Sequence, residues 1–494
     1  MALKFGTSGV RGLVTEMSDR ECYRYAQAFI RHLRANSDAQ AVAIGGDYRS
    51  SSPRIMSALV KALQDCAMTV DYCGFVPTPT LALHAMNEGM AAMMVTGSHI
   101  PDDRNGIKFY MPWGEILKED EQQISRYHRE LQAGGASGDD AQLFDGAGQL
   151  HESQRPQLGE ANRAAQELYV ARYTRLFPAD FFSQYKVVLY QHSSVARDIM
   201  AEILRKLGAD VVCVGRSDQF IPVDTEAVVN PEQLADWVKE HNADLLVSAD
   251  GDGDRPLVVD EQGRLVRGDI LGVLSAAYLG VDSVAAPVSC NTVLEKCGKF
   301  ASTERTRIGS PFVIAAMMDA LKAGRQAVVG YEANGGFLTA SELTLPQGTS
   351  APLSALPTRD VLLPIVALLA LAKRQATPVS ALLDALPQRY THSGLLKNFP
   401  SAIGQRIVAD ATADSAAFSA RHFAAMFGEM SVFDGTDGAR FTFASGDIVH
   451  LRPSGNAPEF RCYTESATEQ QAAKNSELAL TLICDTLRPL YEQG

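Results

Sequence analysis

Three times along this chain a short apolar run breaks into a loop rich in Gly, Asp or Ser, and a helix-like stretch and a further apolar run follow. Ala41 to Ile44 runs into Gly45–Pro53, then a helix to about Asp65 and a strand at Thr69–Phe75. Lys186–Tyr190 leads to an amphipathic helix, Val195–Leu207, that ends at Gly208, and then to Asp210–Val214. Ser283–Val288, a helix from about Thr292 and Ala327–Tyr331 make the third round. Short apolar runs alternating with helical periodicity read as β-α-β units. Three such units predict an α/β chain of related domains. From about Pro387 the texture changes: short strands at Ser431–Phe433, Ala439–Phe443, Ile448–Leu451 and Phe460–Thr464 are separated by Gly/Asp turns and closed by a helix over Glu469–Leu487. That part reads as a smaller α+β domain.

A length of 494 residues suits about three to four domains. The pattern divides them at 1–150, 165–262, 263–375 and 385–494, with Gly134–Gly138 as a linker or exposed insertion. The net charge of -13 argues against nucleic acid and acidic membranes as main partners. The eight cysteines are scattered, with no C-x-x-C pair, and read as reduced core thiols. No signal peptide is visible over Met1–Val10, and the most apolar segment, Val361–Ala372, is short and interrupted by Pro364. A cytoplasmic protein is the expectation.

Chemistry concentrates in loops at the ends of strands, where α/β folds place it. Ser98 and His99 follow the apolar run Met93-Met94-Val95, and Asn105-Gly106, a turn signal able to supply positive φ, precedes Lys108. The plain alternative is a surface turn whose serine caps a helix. Asp250, Asp252 and Asp254 alternate with glycines before Arg255, a spacing that can wrap one hard cation. An EF-hand would place Glu261 at its last position, but Arg255 stands where that loop needs glycine and the flanks are strand-like. A solvated acidic turn is the other alternative. Glu332 and Asn334 sit in the strand exit Gly330–Phe337 and can accept hydrogen bonds from sugar hydroxyls. Arg452, Ser454, Gly455 and Asn456 make a compact anion cradle, though the same residues are ordinary turn chemistry. A seryl nucleophile, a triple-Asp cation site, a polyol loop and an anion cradle together suit phosphoryl transfer on a phosphorylated sugar.

These loops, in this order and over essentially the whole chain, resemble the α-D-phosphohexomutase superfamily of phosphomannomutases and phosphoglucomutases. Phe5–Gly12 resembles the family's opening, Gly97-Ser98-His99 with Asn105–Lys108 its phosphoserine loop, Asp250–Arg255 its metal loop, Glu332–Gly336 its sugar loop and Arg452–Gly455 its phosphate loop. The resemblance implies three similar mixed α/β domains and a C-terminal domain around a central cleft.

It also implies a mechanism. Phosphorylated Ser98 gives its phosphoryl group to a hexose phosphate, and the 1,6-bisphosphate turns over and returns the other one. Mg2+ is held by Ser98, Asp250, Asp252 and Asp254, and hexose 1,6-bisphosphate is the activator. Arg11, Lys108 and Arg255 stabilise transferring charge, with His99 and Lys108 as acid/base groups; an ammonium can also shuttle a proton if its pKa falls. Gly309, Glu332, Asn334, Arg452, Ser454, Gly455 and Asn456 bind substrate by the same resemblance. Ile100, Asn334, Gly336-Phe337 and Asn456 depart from the family pattern, so sugar selectivity is the least constrained inference. Leu356-Pro357-Thr358-Arg359-Asp360 resembles bacterial phosphomannomutases, favouring mannose 6-phosphate to mannose 1-phosphate, with glucose phosphates as the alternative. The expected partners are small sugar phosphates, with a monomer or homodimer as the assembly. A metal-dependent phosphatase would use the same serine and metal but needs no second phosphate site. A non-catalytic binding module would not need Ser98, His99 and Lys108 together.

Overall fold

Buried apolar runs become strands in each of the expected rounds. The structure, a computed structural model, describes residues 3–6, 9–134, 140–347, 349, 351–454 and 458–492. Thr7, Ser8, most of the Gly134–Gly138 linker, Gly455 and Asn456 lie outside the described residues.

The chain forms two compact units, Met1–Ala285 with Gly309–Leu383, and Ala286–Ile308 with Asp384–Gly494. In the first unit the opening sheet runs in the order Lys4–Phe5, Val10–Leu13, Arg104–Met111, Ala91–Val95, Ala41–Gly46, Thr69–Phe75, with Gly114–Glu115 on Arg104–Met111. Ala41–Gly46 pairs in parallel with both neighbours, whereas Ala91–Val95 and Arg104–Met111 are antiparallel, so the sheet is mixed. The second sheet has the order Leu265–Val266, Pro256–Asp260, Leu245–Ala249, Lys186–His192, Asp210–Arg216. Leu245–Ala249 and Pro256–Asp260 form a hairpin, so strands flank the acidic loop and the EF-hand is excluded. The third sheet pairs Ser283–Pro287 with Val328–Tyr331 in parallel, and Phe337–Thr339 and Leu356–Asp360 continue it antiparallel.

Several elements differ from the sequence reading. Thr78–Asn87, Gly268–Leu279 and Ser310–Lys322 are helices that the apolar pattern did not mark. The helix from Thr292 is short, Val293–Lys296. Asn105-Gly106 is not a turn: both residues lie inside the strand Arg104–Met111. The most apolar segment is the buried helix Leu362–Gln375, in which Pro364 sits in the first turn, where its missing N–H costs no helical bond. Among the described residues no helix is long and apolar enough to cross a membrane. All eight cysteines are free; Cys22, Cys73, Cys290 and Cys462 are buried, so half of them are core thiols.

The second unit is built on an antiparallel sheet in the order Tyr390–Lys397, Glu459–Ser466, Ile448–Pro453, Ala439–Phe443, Met430–Asp434. Its apolar core includes Phe399, Phe418, Phe423, Phe441 and Phe460. The closing helix runs over Glu469–Leu482 and passes into a π-helical turn at Ile483–Leu487.

Candidate active site

The strand Ala91–Val95 is wholly buried and delivers Thr96-Gly97-Ser98 to its end. Ser98 is buried and holds a left-handed backbone, φ +55°. That conformation costs a non-glycine residue about 1–3 kcal/mol, and surrounding bonds must hold it. Thr96 Oγ1 accepts from Ser98 N at 2.7 Å and donates to Asp47 Oδ2 at 2.7 Å. Ser98 Oγ donates to Asp250 Oδ2 at 2.6 Å and lies 3.3 Å from His99 Nδ1.

Asp250 begins the hairpin turn between Leu245–Ala249 and Pro256–Asp260, and its N–H donates back to Arg255 O. A Cβ on Gly251 would lie 2.7 Å from Ser98 O, so glycine is what lets this turn meet the serine loop. Asp250, Asp252 and Asp254 are buried, with one carboxylate oxygen of each within 4.8 Å of the others. Lys108, on Arg104–Met111, donates to Asp252 Oδ2 at 2.7 Å and Asp254 Oδ2 at 2.6 Å. Thr78 Oγ1 donates to the same Asp252 oxygen at 2.6 Å. Asp252 Oδ1 and Asp254 Oδ1 are buried without a hydrogen-bond partner among the described residues. Buried carboxylate oxygens left over from such a network fit a cation.

Burial, with Asp252 and Asp254 beside it, pushes the Asp250 carboxyl up. Asp252 is buried too, but Lys108 and the Thr78 hydroxyl outweigh that cost and hold it below the usual range. For Lys108 burial works against the charge, yet Asp252 and Asp254 prevail and the pKa rises, so it stands as an ammonium. Burial, then Arg255 and Arg11, depress His99 to about 2. Arg255 Nη1 donates to His99 Nδ1 at 2.9 Å, consistent with a neutral imidazole. Arg11 lies on Val10–Leu13, opposite Gly106 of the Lys108 strand. Burial and then Arg255 lower its pKa to about 10. Gly106 is needed for close approach, since a Cβ there would lie 2.6 Å from Val10 O and 2.8 Å from Thr96 O.

The Glu332–Gly336 loop joins this cluster through Arg359, a residue that the sequence reading quoted in the Leu356–Asp360 motif without giving it a place in the site. Arg359 is buried on Leu356–Asp360; its Nε pairs with Glu332 Oε2 and its Nη1 lies 3.4 Å from Asp254 Oδ2. The strand reads Leu-Pro-Thr-Arg-Asp, polar over its last three residues, so nothing in the sequence marked it as wholly buried and its arginine as needing a buried acid. Asn334 Oδ1 accepts from Gly336 N at 2.9 Å, and Asn334 O accepts from Thr225 Oγ1 at 2.7 Å. Gly309 precedes Ser310–Lys322 with φ +131°. Arg452 and Ser454 belong to the second unit. There Arg452 Nε pairs with Asp437 Oδ2 at 3.0 Å, and Ser454 N donates to Glu459 O at 2.9 Å. Among the described residues one other group of ligand types converges, Asp71, Cys73 and His84. Its Asp71 is already bonded to His84 and Asn162, and burial pushes the Cys73 thiol up to about 12.

The chain matches the four phosphoglucomutase/phosphomannomutase domain models: alpha/beta/alpha domain I at residues 2–133, domain II at 169–263, domain III at 267–390 and the C-terminal domain at 405–478. It is 43% identical over 480 residues to a phosphomannomutase of Sinorhizobium fredii, covering 96% of this chain and 97% of the relative. The chain belongs to the phosphoglucomutase/phosphomannomutase family. Within that family it is also 40% identical to a phosphomannomutase of Salmonella muenchen, covering 97% of this chain and 95% of the relative. A phosphoglucomutase/phosphomannomutase family protein of Burkholderia thailandensis shares the fold at a TM-score of 0.71 and 19% identity, over 97% of this chain and 96% of that one. The N-acetylphosphoglucosamine mutase of Aspergillus fumigatus, solved with GlcNAc-6P and magnesium, aligns at a TM-score of 0.55 and 15% identity, over 98% of this chain and 96% of that one.

Proposed function

We propose that this chain, a phosphohexomutase by family, interconverts hexose 6-phosphate and hexose 1-phosphate with Ser98 as the phosphoryl carrier, and that its preferred substrate is mannose phosphate. The observation that carries the reading is the Ser98 Oγ to Asp250 Oδ2 contact beside two further carboxylates with leftover oxygens. The two phosphomannomutase relatives support the choice of sugar.

Asp250, Asp252 and Asp254 would hold one divalent cation, Mg2+, with a Ser98 phosphoryl oxygen completing the site; that cation would neutralise charge on the transferring phosphoryl group. Lys108, Arg11 and Arg255 add fixed positive charge around Ser98 and cost no reorganisation during transfer. As phosphorylated Ser98 gives up its phosphoryl group, the sugar O–P bond forms, the Ser98 O–P bond breaks, the sugar hydroxyl loses its proton and Ser98 Oγ gains one, so that the net proton transfer is from the sugar oxygen to Ser98 Oγ. Of the two acid/base candidates, His99 lies 3.3 Å from Ser98 Oγ but its Nδ1 already accepts from Arg255 and burial depresses it to about 2, so it orients Ser98, and Lys108, an ammonium, is the proton donor and charge stabiliser. Glu332 and Asn334 contact sugar hydroxyls, and Gly309 is a further substrate-binding residue. Arg452, Ser454, Gly455 and Asn456 grip the phosphate that is not reacting. The activator is a hexose 1,6-bisphosphate that recharges Ser98. We place the protein in the cytoplasm, as free thiols suit a reducing compartment, and expect a monomer or homodimer.

The test is a coupled assay with mannose 6-phosphate and glucose 6-phosphate, with and without added 1,6-bisphosphate. Production of the 1-phosphate, accelerated by bisphosphate and faster with mannose, supports the reading. Release of inorganic phosphate alone would identify a phosphatase.

A further inference from the structure

We propose that Arg49 is the positioning residue of the serine loop: its guanidinium sets the backbone conformation in which Ser98 Oγ reaches the carboxylate triad. This rests on the reading of Ser98 as the phosphoryl carrier.

Arg49 lies just after the strand Ala41–Gly46, and its side chain is 0% exposed. Its Nε donates to Asp47 Oδ2 at 3.2 Å. Nη1 donates to Pro101 O at 2.6 Å and Arg104 O at 2.9 Å. Nη2 donates to Ser98 O at 3.0 Å and to Ile100 O. A guanidinium has five N–H donors in a fixed plane, and here one carboxylate and four carbonyls of a single loop take them all. No donor remains for a substrate, so Arg49 acts through the loop. A lysine offers three donors on a flexible stem and cannot reproduce the arrangement.

The Ser98 peptide is thereby gripped from both ends. Thr96 takes its N–H, Arg49 takes its carbonyl, and Asp47 links the two by accepting from both side chains. This grip holds the left-handed φ of Ser98 in place. The loop also presses on the guanidinium itself, since a Cβ on Gly97 would lie 2.6 Å from Arg49 Cζ.

The cluster is tied to the part of the chain that carries the triad. The Phe220 ring, past the strand Asp210–Arg216, lies 4.1 Å from Arg49 Cζ. Next to Arg49, the Tyr48 ring is covered by Arg197 Cζ at 4.6 Å. These reciprocal cation–π pairs join adjacent residues of the first α/β domain to the second. Gly251 of the acidic turn sits against both partners, for a Cβ there would meet Ser98 O at 2.7 Å and the Phe220 ring at 2.9 Å. Arg49 is thus the common reference for the serine loop and the acidic loop.

The experiment uses dephosphorylated full-length protein, Mg2+ and radiolabelled glucose 1,6-bisphosphate in quench-flow. In the step followed, the Ser98 O–P bond forms, a sugar O–P bond breaks and the Ser98 proton ends on the sugar oxygen. The rate constant of Ser98 labelling, the final labelled fraction, the bisphosphate concentration for half-maximal rate and the melting temperature are read for the wild type, Arg49→Lys and Phe220→Leu. Arg49→Lys is expected to slow labelling by about ten-fold or more while the labelled fraction and half-maximal concentration stay within about two-fold. Phe220→Leu keeps every hydrogen bond of the fork and is expected to slow labelling about two- to ten-fold; it decides the matter if Arg49→Lys does not fold. A wild-type labelling rate in either folded variant overturns the proposal. So does a reduced labelled fraction at an unchanged rate constant, which would give Arg49 a role in folding alone. If the wild type takes no label at Ser98, the carrier reading itself fails, and the purpose assigned to Arg49 falls with it.

Discussion

Ser98 Oγ donates a 2.6 Å hydrogen bond to Asp250 Oδ2, joining residues 152 positions apart in the sequence. Asp250 reaches across because its other oxygen accepts from the Asp254 and Arg255 N–H groups of its own turn, fixing the carboxylate plane. The contact therefore holds the Ser98 hydroxyl, the proposed phosphoryl carrier, against Asp250, one of the three proposed cation ligands.

Removing the hydroxyl tests that arrangement first. Ser98→Ala should lower turnover by several powers of ten, roughly what loss of covalent catalysis costs, with little change in melting temperature. Intact-mass analysis should find phosphate on the wild type and none on the variant. A phosphate retained elsewhere, with activity, would move the carrier to another residue.

Asp252→Asn removes one negative charge from the triad and leaves a neutral oxygen at the Lys108 contact. Divalent-cation affinity should fall by about ten-fold or more, read by calorimetry without substrate, and activity should fall with it. Cation binding equal to the wild type would show that this carboxylate is not a ligand.

Arg359 connects the sugar loop to the acidic loop through Glu332 and Asp254. Arg359→Lys keeps the charge but cannot serve both acids from one plane. A fall of about ten-fold or more in kcat/KM is expected for both phosphate isomers, because Glu332 loses its anchor. An unchanged kcat/KM in both directions would leave Arg359 with a packing role alone.

Asp360 accepts from Tyr169 Oη at 2.6 Å and Tyr173 Oη at 2.5 Å, with all three side chains buried. Asp360→Ala strands two buried hydroxyls and should destabilise the fold by about 2–4 kcal/mol, more than Tyr169→Phe, which removes one donor only. Chemical denaturation of the two variants compares them directly. Equal effects would mean the carboxylate is not the hub of this contact.

His450 donates Nε2–H to Asp437 O at 2.6 Å, and burial lowers its pKa to about 4. Its folded pKa is below the unfolded value, so its contribution is fully present above about pH 6.5 and is lost as pH falls toward 4. Wild-type stability should drop relative to His450→Gln by roughly 2 kcal/mol between pH 7.5 and pH 5. A pH-independent gap between the two proteins would show that His450 titrates normally.

The sequence by itself determined local things. Apolar runs with period-two or helical spacing mark strands and helices because those periods come from bonding between near neighbours. Asp250, Asp252 and Asp254 were legible as a cluster because all three carboxylates share one turn. Family motifs carried the rest of the outline, from Ser98 to Arg452. Only the tertiary structure decided which atoms meet. Asn105-Gly106 looked like a turn, yet cross-strand pairing with Val10–Leu13 keeps it extended and uses the missing Cβ for close approach. Lys108 meets Asp252 across 144 residues, and those carboxylates set its protonation. Arg49 and Arg359 are unremarkable letters in a Ser-rich loop and a short strand of mixed composition. Each becomes a hub once folding has withdrawn its guanidinium from water and left carbonyls or carboxylates as the only compensation within reach.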